Sequence, residues 1–159
     1  MEQAASNHIL LVDDEEMVVA SIKSFLALET DYQVSGFTSP PEALAFLEKV
    51  RVDLVISDYL MPDMDGIEFL MRVKQIQPQA TRILLTGYAD KENAIKAIND
   101  VGLYQYLEKP WENEDLRLII RNGLEKNLLL HRLQEKIQEV EKAHAELLAV
   151  QKEILKAFA

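Results

Sequence analysis

The chain has 159 residues, a formal net charge of −10, 48% hydrophobic and 28% charged residues, and no cysteine. That length suits one domain with its own core plus an appendage, and no apolar run approaches the roughly eighteen residues of a membrane span. Disulfides and thiolate metal sites are excluded, a reducing cytoplasm is suited, and the acidity argues against nucleic acid as a partner of this chain.

Residues 1–7 lack a basic region followed by an apolar stretch, so they read as a short disordered lead-in and not as a signal peptide. Beyond them, short β-branched runs alternate with longer stretches of helical period, the pattern of a parallel sheet covered on both faces. The first run, His8 to Val12, passes straight into four carboxylates, Asp13 to Glu16. Met17 to Leu28 then sets Val18, Ile22, Phe25 and Leu26 at helical spacing. Tyr32 to Phe37 reads as a second, weaker strand. Ser39, Pro40, Pro41 and Glu42 form a helix start with a capping box, and the helix runs to about Lys49.

Val52 to Ser57 is the clearest buried strand, followed by a loop, Asp58 to Gly66, rich in Asp, Pro and Gly. Helical period returns from Ile67 to Ile76. Arg82 to Thr86 is the fourth strand, Asp90 to Val101 the fourth helix with Gly102 at its stop, and Gln105 to Leu107 a fifth strand. From Asn113 nothing ends the helix before Ala159 except Gly123, which predicts roughly 70 Å of helix.

The second half of that helix repeats in sevens. With Leu130, Ile137, His144, Gln151 and Phe158 at a and Leu133, Val140, Leu147 and Ile154 at d, it reads as a coiled-coil seam with two polar interruptions. Lys136 at g and Glu141 at the following e are placed to pair between parallel chains. His144 then serves register control, and neither it nor His131 sits in a pattern like that of a kinase phosphoacceptor helix. The expected division is a lead-in over 1–7, a domain over 8–126 and a dimerising coiled coil over 127–159. The seam is still in phase at Phe158, which predicts a linker that continues.

In an open parallel sheet, ligands bind outside the carboxyl ends of the strands. Asp13, Asp14 and Glu15 fall there after the first strand, Asp58 after the third, Thr86 at the end of the fourth, and Lys109 after the fifth, just before Pro110. Alone, Asp13 and Asp14 would read as helix caps and Asp58 as a loop acid. Together they repel unless a cation sits among them, and Mg²⁺ suits two or three carboxylates and a carbonyl while keeping waters. An EF-hand reading of DMDG fails, because with Gly66 sixth the first and twelfth positions are Met61 and Arg72.

The DD after the first strand, the D before MPDMDG, the T of the fourth strand and YLEKP at the fifth resemble the receiver domain of two-component response regulators over residues 8–126. The resemblance implies a flavodoxin-like (βα)5 fold, strand order 2-1-3-4-5, with the last helix extended into a parallel coiled coil. It implies Asp58 as the phosphoacceptor, Asp13, Asp14, Asp58 and the Leu60 carbonyl as ligands of Mg²⁺ with Mn²⁺ as substitute, and Thr86 and Lys109 on the phosphoryl group. It also implies Tyr106 as switch aromatic, a cis Lys109–Pro110 bond, and a histidine kinase or phosphotransfer protein as donor. The expected function is a cytoplasmic, bacterial-type signalling module that catalyses only its own phosphorylation and dephosphorylation, dimerises through its last helix and drives an output outside this chain.

Two departures stand out. Leu60, two residues past Asp58, is apolar and Tyr88, two past Thr86, is bulky, so neither orients an attacking water and slow self-hydrolysis is expected. Two rivals are weighed against this reading. A haloacid-dehalogenase-type enzyme would want a second Asp where Leu60 stands, and a phosphate-independent dimerisation scaffold would need only the helix.

Overall fold

The structure is a computed structural model. It describes residues 7–87, 90–100 and 102–158, without the side chains of Ala97 and Ile98. The lead-in expected over 1–7, apart from residue 7, and Tyr88 lie outside the described residues. The elements run β1 (His8–Val12), α1 (Glu16–Glu29), β2 (Gln33–Phe37), α2 (Pro40–Leu47), β3 (Leu54–Asp58), α3 (Gly66–Ile76), β4 (Thr81–Thr86), α4 (Lys91–Asp100), β5 (Gln105–Glu108) and α5 (Asn113–Ala157). The five strands are parallel in the order β2-β1-β3-β4-β5, as expected, which is the flavodoxin-like arrangement.

Every residue of β1, β3 and β4 is buried, because helices cover both faces of the sheet. Side chains alternate between faces along each strand. Leu10, Val12, Val55 and Leu84 join Phe69, Leu70 and Val73 of α3 on one side. Ile9, Leu11, Leu54, Ile56, Ile83 and Leu85 join α1 and the first part of α5 on the other. Each fully buried Leu or Ile contributes roughly 1.5–3 kcal/mol, so the strands that carry the acids at their ends are firmly held.

Three local expectations shift. Strand β3 runs from Leu54 to Asp58, and Val52 falls outside it, since its N–H bonds to the Gln77 side chain (3.0 Å) and not to a neighbouring strand. Asp58 is therefore a strand residue, in register with Leu85, and not the first residue of the loop. Ser39 stands at the N-cap of α2 with Pro40 after it, but its side chain makes no cap hydrogen bond. A cap side chain serves the N2 and N3 amides, and Pro41 has no N–H to offer. Helix α2 also ends early, at Leu47.

The chain divides into two compact units, one ending at Asn127 and one beginning at Leu128. In the first, Leu116, Ile119, Ile120, Gly123 and Leu124 of α5 are buried. In the second, all of Leu130, Leu133, Ile137, Val140, His144, Leu147, Gln151, Ile154 and Phe158 are exposed. Among the described residues, no helix is long and apolar enough to cross a membrane.

Candidate functional site

Strand β1 delivers Asp13 and Asp14 to the carboxyl edge of the sheet, and β3 delivers Asp58 beside them. One carboxylate oxygen from each of the three lies within 4.8 Å of the others. Asp13 is fully buried and Asp58 nearly so, whereas Asp14 is exposed. Asp13 Oδ1 accepts from the Glu15 amide at 2.9 Å, which ties the carboxylate to the first turn of α1. Its Oδ2 is buried and has no hydrogen-bond partner.

The cis peptide bond joins Lys109 to Pro110, as the sequence implied. Lys109 follows β5, and its Nζ donates to Asp58 Oδ1 at 2.6 Å and lies 3.8 Å from Asp13 Oδ2. Burial works to lower the Lys109 pKa, but the hydrogen bond and charge of Asp58, with Asp13 and Glu15, overcome it and hold the ammonium above its ordinary value. Burial pushes the Asp13 carboxyl up to about 6 against the Glu15 amide, with Asp58 and Asp14 adding to the push and Lys109 opposing it. Asp58 is raised for the same first reason, with Lys109 working against it.

Around this group lies a cavity of about 300 Å³ lined by Asp14, Glu15, Asp58, Tyr59, Leu60, Gly87, Asp90 and Lys109. Three carboxylates of a hard-oxygen donor set, one with a buried oxygen that has no hydrogen-bond partner, fit a divalent cation such as Mg²⁺. The Leu60 side chain is 63% exposed at the rim.

Thr86 and Tyr106 are not among the residues that line this cavity. Thr86 ends β4, is fully buried, and donates its hydroxyl to the Gly87 carbonyl at 3.1 Å. Tyr106 of β5 pairs with Leu84 of β4 and is partly buried against the core on the α3 face of the sheet.

Several contributors escaped the sequence reading. Gly66 donates to the Tyr59 carbonyl at 2.8 Å, and a Cβ there would overlap the Asp58 carbonyl oxygen. Asp65 caps α3 by accepting from the Glu68 amide at 2.8 Å, which gives DMDG a structural purpose. Asp90 lines the cavity from the start of α4, and Asn93 of α4 donates to the Tyr59 hydroxyl at 3.2 Å. An Asp before a helix reads as a cap whether or not it faces a site, so the sequence carried no separate signal for Asp90.

Residues 9–121 match the model of the response regulator receiver domain. The chain belongs to the response regulator receiver family. The match covers the sheet, α1 to α4, the site and the first part of α5. Among curated relatives, the hydrogenase transcriptional regulatory protein HoxA of Cupriavidus necator is 34% identical over 128 residues, 79% of this chain and 26% of that protein. The receiver thus spans about a quarter of the length of that relative.

Among solved structures, a response regulator receiver domain protein from Clostridium thermocellum superposes with a TM-score of 0.73 at 33% identity, covering 78% of this chain and 98% of that one. An adenylate cyclase chain from Rhodopirellula baltica reaches a TM-score of 0.80 at 30% identity, covering 84% and 98%. Receiver domains are signalling modules that bind Mg²⁺ through an acidic pocket, and Asp13, Asp14 and Asp58 form an acidic cluster in this chain.

Proposed function

We propose that this receiver accepts a phosphoryl group on Asp58 from a phosphohistidine presented by a sensor histidine kinase or a phosphotransfer protein. The observation that carries this is the Lys109 ammonium, 2.6 Å from Asp58 Oδ1 at the edge of the cavity. In the transfer, an Asp58 oxygen attacks phosphorus while the P–N bond to the donor imidazole breaks. The electron pair leaves on that nitrogen, which takes up a proton, and an acyl phosphate remains. Lys109 neutralises charge on the phosphoryl oxygens, and the strand position of Asp58 fixes its direction of attack.

Asp13, Asp14, Asp58 and the Leu60 carbonyl would hold Mg²⁺, or Mn²⁺ in its place. Bound there, the ion supplies positive charge opposite the phosphoryl oxygens. The Thr86 hydroxyl exchanges its bond to the Gly87 carbonyl for one to the phosphoryl group, and Tyr106 follows it inward as the second half of a two-state switch. With apolar Leu60 at the rim, water is poorly oriented and the acyl phosphate is slow to hydrolyse.

Residues 8–126 form the receiver on this reading, and 127–159 a parallel dimeric coiled coil. Its seam is Leu130, Leu133, Ile137, Val140, His144, Leu147, Gln151, Ile154 and Phe158. A change of helix rotation or register near Gly123 carries the phosphorylation state to an output outside this chain, in a bacterial-type cytoplasmic pathway.

Titration of the full chain with beryllofluoride and Mg²⁺ tests the site. Trp111, the one tryptophan, lines a neighbouring cavity with Glu15, Val18, Lys109 and Pro110 and supplies the fluorescence signal. A saturable change that disappears in Asp58→Ala is expected. No change in the unsubstituted protein sinks the proposal.

A further inference from the structure

The C-terminal part of α5 carries apolar side chains that the a/d seam does not use. Upstream, the flanking e and g positions are mostly polar, with Gln134, Lys136 and Glu141, as in a narrow two-stranded seam. Downstream, Leu148 and Leu155 stand at e, exposed by 47% and 71%. They belong to a second stripe, Glu141, Ala145, Leu148, Lys152 and Leu155, spaced alternately four and three residues apart, so the five share one face of the helix. Ala145, Leu148, Ala149, Gln151, Lys152 and Leu155 line a groove along it. A two-stranded parallel contact along a and d leaves the b positions Ala145 and Lys152 outside.

We infer that this stripe is a second contact surface, by which α5 binds another copy of this chain in antiparallel orientation. The order of side chains selects both occupant and direction. About a two-fold axis between residues 145 and 148, Glu141 faces Lys152 of the other copy and Ala145 faces Leu148. Each charge of these pairs meets its opposite and Leu148 meets the small Ala145, the axis repeats both pairings, and Leu155 lies beyond them opposite Gln138. Such self-complementarity is what an isologous two-fold contact requires. Parallel pairing of the same stripe would oppose Glu141 to Glu141 and Lys152 to Lys152, and would set Ala against Ala. With the parallel seam also occupied, the two surfaces join dimers into larger assemblies, so the inference rests on the proposed dimer only for the size of the assembly.

The chain contains no cysteine, so introduced cysteines report alone. Two differently tagged full-length chains, one Ala145→Cys and one Leu148→Cys, are co-expressed and mildly oxidised, with Leu147→Cys as the probe of the parallel seam. All three substitutions fall on exposed helix positions. The antiparallel contact gives the mixed 145–148 disulfide in clear excess over either like-with-like product, while Leu147→Cys links to itself. If Leu147→Cys links to itself but the mixed 145–148 product does not exceed the like pairs, the second surface is rejected and the parallel seam stands. A dominant mixed product without any 147 link upholds the second surface and rejects the seam. No link at any of the three positions rejects both.

Discussion

Asp13 shows how one side chain can be costly to the fold and useful to the site. It is fully buried beside Asp58 and Asp14, and its carboxyl is pushed from 3.8 up to about 6. A carboxyl whose folded pKa lies above its unfolded value binds its proton more tightly when folded, so stability rises as pH falls through that window. Metal-free protein should therefore become more stable from neutral pH through about 6 and on toward 4, with Asp13 contributing on the order of 3 kcal/mol across it. Asp58, raised in the same direction, adds to the trend. Urea melts at several pH values without divalent cation measure this. Asp13→Asn should be the more stable protein at neutral pH and show a flatter profile. A wild-type midpoint that falls on acidification from neutrality, with the same slope in Asp13→Asn, would contradict it. The acids themselves were legible in the sequence because each follows an apolar run, whereas Gly66 was not, since its need arises from Asp58 of another element.

Helix α5 teaches the element-scale lesson at Gly123. By sequence, that residue looks like a weak point, since glycine costs about 1 kcal/mol relative to alanine inside a helix. In the fold it is a point of close approach. A Cβ there would lie 3.0 Å from Leu54 Cδ1 and 3.1 Å from Thr81 Cγ2, and the Thr81 hydroxyl donates to the Gly123 carbonyl at 3.0 Å. Enlarging it to Gly123→Leu should cost about 1–3 kcal/mol through overpacking, outweighing the gain in helix propensity. A thermal melt reads the difference, and an unchanged or higher midpoint would mean the sheet yields at this point. Strand β3 makes the complementary case, because its run of apolar residues was plain while Val52 is drawn out of it by Gln77, a side chain from the turn after α3.

At the scale of the whole molecule, the proposed output depends on whether the phosphorylation state reaches the second unit. Single cysteines along residues 126–158 should give a like-with-like cross-linking pattern that differs between protein with beryllofluoride and Mg²⁺ and protein without. Identical patterns would remove the relay and leave the receiver intact. In that event, the helix would serve only to bring copies together, the role a phosphate-independent scaffold would need.

Sequence alone determined the layered α/β architecture, the strand order through its resemblance, and the placing of Asp13, Asp14, Asp58 and Lys109 at the carboxyl ends of the strands. Hydrophobic period and the placing of charges at strand ends are local properties, readable along the chain. Only the tertiary structure decided how far Asp13 is buried, that Lys109 reaches Asp58, that Thr86 rests on the Gly87 carbonyl, and that Gly66 and Gly123 mark close approaches. These depend on distances between elements remote in sequence, and no spacing along a chain records them.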